Sequence, residues 1–419
     1  MLKLSSISKS QFSTIHTKVA IVGAGTAGIN LASQIANQYK LMPSLVRVFE
    51  PSKFHYYQPA FTMIGGGIAK PQIAQRRLDK VFPKHVALTN YAVTFINPNE
   101  NYLEVEEGTK YTYDHLIIAT GINANFSAVP GLEEALGDHN CPVTSIYSFK
   151  NAQKTWDQIK AFEGGKAIFT EPVAPIKCGG APQKIIFLAR DAWKGKNVDI
   201  EFFKPADVCF GVKKYSDALE QLHSSQGTIV NLKNNLVSVD GKSKVATFKE
   251  LESGKEFKKD FQFLHVVPPH TPHKFLSEAG LTNEQGYVDV NKFTMQHNKF
   301  ENVWSLGDAS SLPTSKTAAA VMTQTPILLK NLIQALDGRK PTGAYNGYTS
   351  CPIFVGEKKL MLAEFKYDNV VEETFFTNQE KPRKSMFWLK SKFFPFAYWN
   401  LVTRGIWHGR DGINFPGYA

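Results

Sequence analysis

Two of the four cysteines in this 419-residue chain stand where sulfur chemistry is favoured. Cys178 follows Lys177 and precedes Gly179-Gly180-Ala181-Pro182 at the start of a helical stretch. A helix N-terminus and a neighbouring ammonium both stabilise a thiolate, the nucleophilic form of the side chain. Cys351 lies in Tyr348-Thr349-Ser350-Cys351-Pro352, at the head of an expected strand. So few cysteines in so long a chain make no disulfide framework, and any bond between two of them is expected to be redox-active. Cys209, in Val208-Cys209-Phe210, reads as a small buried hydrophobe. Cys141 fits no motif. The histidines show no ligand spacing, and no metal is expected: His270 and His273 share a Pro-rich loop without carboxylates or thiols.

A second constellation suits a dinucleotide. Gly23, Gly25 and Gly28, with Ala27 between the last two, form G-x-G-x-x-G after the β-branched run Lys18 to Val22. There bare backbone can approach a pyrophosphate, and the helix N-terminus offers free N–H groups. A helix from about Ile29 to Tyr39 and a strand from Leu45 to Glu50 complete a βαβ unit, and Glu50 is placed to accept from a ribose hydroxyl. Two further strands end in small-residue turns, one at Thr120-Gly121 and one at Gly307-Asp308. Both resemble FAD-specific motifs of the two-dinucleotide-domain flavoproteins. That resemblance implies FAD as cofactor, with Asp308 holding its ribityl chain.

Positioning these groups takes an α/β fold. Strand runs recur at Tyr113 to Ala119, Lys166 to Thr170, Val198 to Phe203, Phe261 to Val267 and Val303 to Leu306, alternating with helical stretches such as Gln183 to Trp193 and Lys316 to Leu336. The alternation predicts two Rossmann-like, doubly wound domains. The FAD domain is expected in two pieces, 17–130 and 270–345, around a second Rossmann-like domain at 131–269, with a C-terminal extension at 346–419. The second domain lacks a nicotinamide grip. Its first strand runs into Glu171-Pro172-Val173-Ala174-Pro175, with no glycine turn, and its next strand ends in Lys204-Pro205 and not in an acid.

Pro175 to Lys184, Gly211-Val212-Lys213-Lys214-Tyr215, Leu312 to Ala320 and Gly347 to Pro352 together resemble the mitochondrial sulfide:quinone oxidoreductases, and the likeness runs from about Val19 to near Gly409. The resemblance implies that Cys178 and Cys351 flank the flavin as a disulfide or sulfur-bridged pair. Sulfide would attack at Cys351, leaving a persulfide there, and Cys178 would become the thiolate facing the flavin. Electrons would pass through FAD to a ubiquinone-type quinone, and sulfane sulfur to a small acceptor such as glutathione or sulfite. It also assigns Gln58 and Val93 to the cofactor, and Lys316 to the flavin's pyrimidine edge, where a positive charge offsets the negative charge left by reduction.

The balance of 48 basic and 37 acidic residues, +11 overall, does not by itself choose between anionic partners. Position says more. Between Lys381 and Arg410 there is no acid, while Lys384, Lys390, Lys392 and Arg404 interleave with Phe387, Trp388, Phe393, Phe394, Phe396, Tyr398, Trp399 and Trp407. This composition fits an amphipathic segment lying on an anionic membrane surface, with lysines outward and no nucleic acid involved. A homodimer interface or a respiratory-complex contact is the competing use. Residues 1–16 lack acids and place Leu4, Ile7, Phe12 and Ile15 on one side of a helix, as a mitochondrial transit peptide does. The expected location is the mitochondrial inner membrane, peripheral or monotopic. Three other readings remain open: a type II NADH:quinone dehydrogenase, a flavocytochrome-type sulfide dehydrogenase, and a non-catalytic FAD-containing subunit of a respiratory assembly.

Overall fold

The structure is a computed structural model that describes residues 14–38, 45–173 and 175–413. Most of the transit-like segment, 1–13, lies outside the described residues. Ile15 and His16 already belong to the first strand, which starts three residues before the expected Lys18.

The buried run of β1 (Ile15–Val22) feeds the glycine turn and α1 (Thr26–Gln38), and the chain returns in β2 (Val46–Phe49). Parallel pairing of β1 with β2 and with β3 (Lys110–Ile118) makes the centre of the first sheet. Gly23 and Gly28 are dictated by close packing at this turn. A Cβ on Gly28 would stand 1.8 Å from the Gly23 carbonyl oxygen, and Gly23 has φ +101° with Ala119 backbone only 2.6 Å from where its Cβ would be.

The second sheet is all parallel, as continuous apolar strands flanked by helices require. Here β4 (Gly165–Thr170) leads through the Pro-rich loop into α2 (Ala181–Ala192), then β5 (Val198–Lys204), and β6 (Phe263–His265) pairs on the far side of β4. The chain then rejoins the first sheet. β7 (Val303–Ser305) pairs in parallel with β3, and α3 (Ala318–Leu336), capped by the Thr317 hydroxyl on the Ala320 amide, lies against α1 through Asn30 and Thr325. β1, β3 and β7 all end on one side, where open α/β sheets bind ligands. The α/β fold class is as the sequence predicts.

Two antiparallel strands, β8 (Thr349–Phe354) and β9 (Leu360–Phe365), begin the C-terminal extension. A continuous helix, α4, follows over 384–402, with wider π turns at Leu389–Phe393 and Tyr398–Val402. It is tied to the first domain: the Tyr398 hydroxyl bonds Thr26 (2.9 Å) and His55 (2.7 Å), Trp399 donates to the Ile73 carbonyl, and Ser33 donates to the Thr403 carbonyl. The expectation of outward lysines and membrane-facing aromatics holds for some of these residues and is corrected for Lys390, Tyr398 and Trp399. Lys390, Tyr398 and Trp399 are buried, whereas Trp388 and Phe396, each 59% exposed, and Lys392 face outward. Among the described residues no helix is long and apolar enough to cross a membrane.

Candidate functional site

A cavity of about 1050 Å³ joins the strand ends to the extension. That is the upper end of what ligand pockets enclose. One lobe is walled by Gly25, Thr26 and Ala27 after β1, Thr120 and Gly121 after β3, and Gly307 and Asp308 after β7. No atom comes within 4 Å of a Cβ built on Gly25 or Gly121, so space lies open at both turns. Glu50 closes β2. Its carboxylate accepts from the Ala24 amide (2.8 Å) and the Ser52 amide (2.8 Å), and burial raises its pKa against those bonds. Asp308 faces the cavity. Burial raises its pKa, while the Lys177 and Lys316 ammonium groups oppose the rise.

Lys316 stands just before α3, donates to the Ser310 carbonyl at 2.5 Å, and is pulled down to about 8 by burial. Gln58 also lines the lobe and accepts from Lys177 Nζ at 3.2 Å. Gly23 and Gly28 shape the turn without lining the cavity. Val93 is in the core, on an outer strand paired with Val105, and the cavity wall does not include it.

The two cysteines meet. Cys178 Sγ lies 3.2 Å from Cys351 Sγ, within hydrogen-bond contact. Cys178 lines the cavity, and Cys351 is set back from it, 1% exposed. The intervening backbone is tight. Cys178 sits at φ +51° with its amide bonded to the Lys316 carbonyl (2.9 Å), and a Cβ on Gly180 would stand 2.6 Å from Cys351 Sγ.

Proximity splits the pair electrostatically. The Cys351 hydrogen bond, with Lys184 and the Gly180 amide, holds Cys178 far below an ordinary thiol despite burial. Cys351, facing that thiolate and buried, is pushed far up.

The cation at the thiolate is not Lys177, as adjacency in sequence suggests. The left-handed turn at Cys178 separates neighbouring side chains, and Lys177 points to Gln58. Lys184, one helical turn into α2 from Ala181, places Nζ 3.2 Å from Cys178 Sγ. Burial alone would lower its pKa, but the two sulfurs outweigh burial and raise it. Lys390 is a second cation in the neighbourhood, 5.6 Å above the Tyr57 ring and lowered to about 7 by burial and by Lys184. Both lysines were passed over in the sequence: Lys184 hides in a helix pattern, and Lys390 in a run of basic residues read as surface.

The part of the wall that the C-terminal extension supplies, the second lobe, includes the apolar Pro352, Leu362, Leu389, Phe393, Phe394 and Trp407 and the polar Tyr348, Glu364 and Arg410.

The model of the pyridine nucleotide-disulphide oxidoreductases matches residues 17–165. The mitochondrial sulfide:quinone oxidoreductase of Schizosaccharomyces pombe is 39% identical over 97% of this chain and 94% of its own length. The chain belongs to the sulfide:quinone oxidoreductase family. Solved structures with the same fold include a chain of the Tetrahymena thermophila mitochondrial ATP synthase (TM-score 0.84, 21% identity, 97% of this chain and 100% of that one). The sulfide:quinone oxidoreductase of Aquifex aeolicus also shares it (TM-score 0.77, 21% identity, 93% and 92%).

FAD is the cofactor of this family, and the residues fit it. The open glycine turns admit a diphosphate at the N-terminus of α1, and the Asp308 carboxylate facing the cavity suits sugar-alcohol hydroxyls. Gly25, Ala27, Thr120, Gly121, Gln58, Asp308 and Lys316 share the lobe that would hold it.

Proposed function

We propose that Cys178 and Cys351 are the redox pair through which this chain oxidises hydrogen sulfide, with electrons leaving to a quinone seated in the apolar lobe. The supporting observation is the 3.2 Å sulfur pair, whose Cys178 lies on the wall shared with the nucleotide lobe. In the oxidised state the two sulfurs are bonded. Hydrosulfide attacks the Cys351 sulfur, forming a persulfide there and expelling Cys178 as thiolate. The direction follows from acidity, since the sulfur that makes the weaker base leaves faster, and Lys184 stabilises the expelled charge. A small thiolate or sulfite then takes the outer sulfur, leaving two thiolates. Re-forming the Cys178–Cys351 bond releases two electrons, which FAD, when bound, accepts and passes to quinone. Lys316 holds positive charge in the nucleotide lobe, and Glu50 and Asp308 orient the cofactor's hydroxyls.

The relatives of this chain are mitochondrial by name, and the outward Trp388, Lys392 and Phe396 of α4 suit the surface of an anionic membrane, from which a quinone would enter. Strands from both outer pieces share one sheet, which supports reading 17–130 with 270–345 as one domain, 131–269 as a second and 346–419 as an extension. Mixing protein with sulfide, sulfite as sulfur acceptor and a short-chain quinone under argon tests the reading. Sulfide is expected to bleach the flavin, NADH is not, and quinone restores the colour. Faster bleaching by NADH would make the chain a nicotinamide dehydrogenase, and bleaching by neither would make it a structural subunit.

A further inference from the structure

Alternate residues of the β8–β9 pair point to opposite faces. Cys351 faces the first lobe's sulfur partner, with Ala363 opposite it. Ser350 and Glu364, the adjoining pair, line the second lobe. Glu364 is a carboxylate on this wall and is only 3% exposed. It accepts from the Tyr348 hydroxyl, from Thr374 Oγ1 (2.7 Å), from the Thr374 amide (2.8 Å) and from Gln379 Nε2 (2.8 Å). Burying a carboxylate this way gains little stability over a hydrophobic residue of like size, which leaves its charge in want of a use.

Thr374 is exposed, and Glu373 beside it bonds Lys214 (2.8 Å) and the Tyr215 hydroxyl (2.9 Å) at the rim. Arg410 stands 4.9 Å over the Tyr348 ring and pairs with Glu372 at 2.7 Å. Hydrogen-bonding groups therefore run unbroken from the exposed Thr374 through Glu364 to the Tyr348 hydroxyl, all on the cavity wall.

Converting a quinone to a quinol takes two electrons and two protons. We propose that Glu364, through Tyr348, delivers the proton that does not travel with the electrons. One proton arrives with the electron pair as a hydride equivalent at one quinone oxygen or its conjugated ring. The Glu364 carboxylate first takes a proton from water at Thr374; the Tyr348 hydroxyl then gives its proton to the other quinone oxygen and takes the one now on Glu364, which returns to the carboxylate. This rests on the quinone occupying the second lobe.

The two half-reactions of the flavin-loaded enzyme, followed separately without oxygen, test it. Glu364→Gln and Tyr348→Phe are expected to slow reoxidation by a short-chain quinone about 100-fold, the scale of general acid catalysis, and to leave bleaching by sulfide unchanged. Glu364→Asp should restore part of the lost rate. Phe394→Ala, an apolar contact in the lobe, should raise the quinone KM.

If Phe394→Ala leaves that KM unchanged, the quinone is not in this lobe and the proposal falls with the lobe assignment. If Phe394→Ala raises it while Tyr348→Phe and Glu364→Gln reoxidise at the wild-type rate, the lobe stands and the proton path is wrong. Equal slowing of both half-reactions, with no rescue by aspartate, would make Glu364 a fastening for 372–380 only. Should Glu364→Gln not fold, Tyr348→Phe alone decides.

Discussion

Lys184→Met removes the one cation that, among the described residues, is in hydrogen-bond contact with Cys178, while keeping most of the side chain's bulk. Lys184 Nζ is 3.2 Å from the sulfur and the residue is 5% exposed, so solvent does little to screen the pair. At an effective dielectric of about 20 the bare attraction at that separation is roughly 5 kcal/mol, an upper bound. A charge-assisted hydrogen bond in proteins is worth about 1.5–3 kcal/mol net. Losing it where Cys178 leaves as thiolate should slow sulfide-driven flavin bleaching about 10- to 150-fold. A second readout isolates the sulfur: alkylation of reduced Cys178 by a small electrophile, followed by peptide mass spectrometry, should slow at neutral pH and recover as pH rises. Unchanged alkylation and unchanged bleaching would refute the assignment of Lys184, and would point to Lys390 or the α2 N-terminus as sufficient.

Gly180→Ala should force a Cβ against Cys351 Sγ and cost about 1–3 kcal/mol of stability, seen as a lower Tm together with slower bleaching by sulfide. Acid should unfold the chain early. Burial lowers His55 and His223 to about 4, and His265 and His270 to about 3, so between those values and the ordinary 6.5 the unfolded state binds the extra protons. Stability then falls with falling pH by about 1 kcal/mol per histidine per pH unit, which a Tm series from pH 7 to pH 5 would read, and a flat series would contradict. Trp388→Ser with Phe396→Ser should weaken co-sedimentation with anionic liposomes about 150-fold or more, since each exposed ring inserted into lipid contributes about 1.5–3 kcal/mol, while bleaching by sulfide stays unchanged. Undiminished liposome binding would move the membrane contact elsewhere. Cutting the chain at Lys381 is a poorer test, because α4 supplies Lys390 and Tyr398 to the cavity.

The nucleotide lobe was legible because its parts are local: a glycine turn, a following helix and an acid at the next strand end follow one another within a single βαβ unit. Both cysteines were legible by residue type and by family likeness, and their contact then followed from α2 and β8 meeting at Gly180. What escaped were residues whose role depends on where a helix turns. Lys177 is next to Cys178 in the chain, but the left-handed backbone at Cys178 sends it to Gln58, and Lys184 arrives by helical phase. In the extension, composition spoke for a membrane-facing segment with its lysines outward, whereas Lys390 lies in a widened turn of α4 and is buried. Glu364 gave no signal at all, since a lone acid in an apolar strand has no pattern to match, and Tyr348 stood in a family-like stretch with no role attached.

The position of the transferred sulfur tests the central claim most directly. Oxidised enzyme is given one equivalent of sulfide with neither quinone nor acceptor, quenched with an alkylating reagent, and its peptides are weighed. The Cys351 peptide should carry one extra sulfur atom beneath the alkyl group, and Cys178 should be alkylated as a plain thiolate. An extra sulfur on Cys178, or on neither cysteine while the flavin is bleached, would contradict the account.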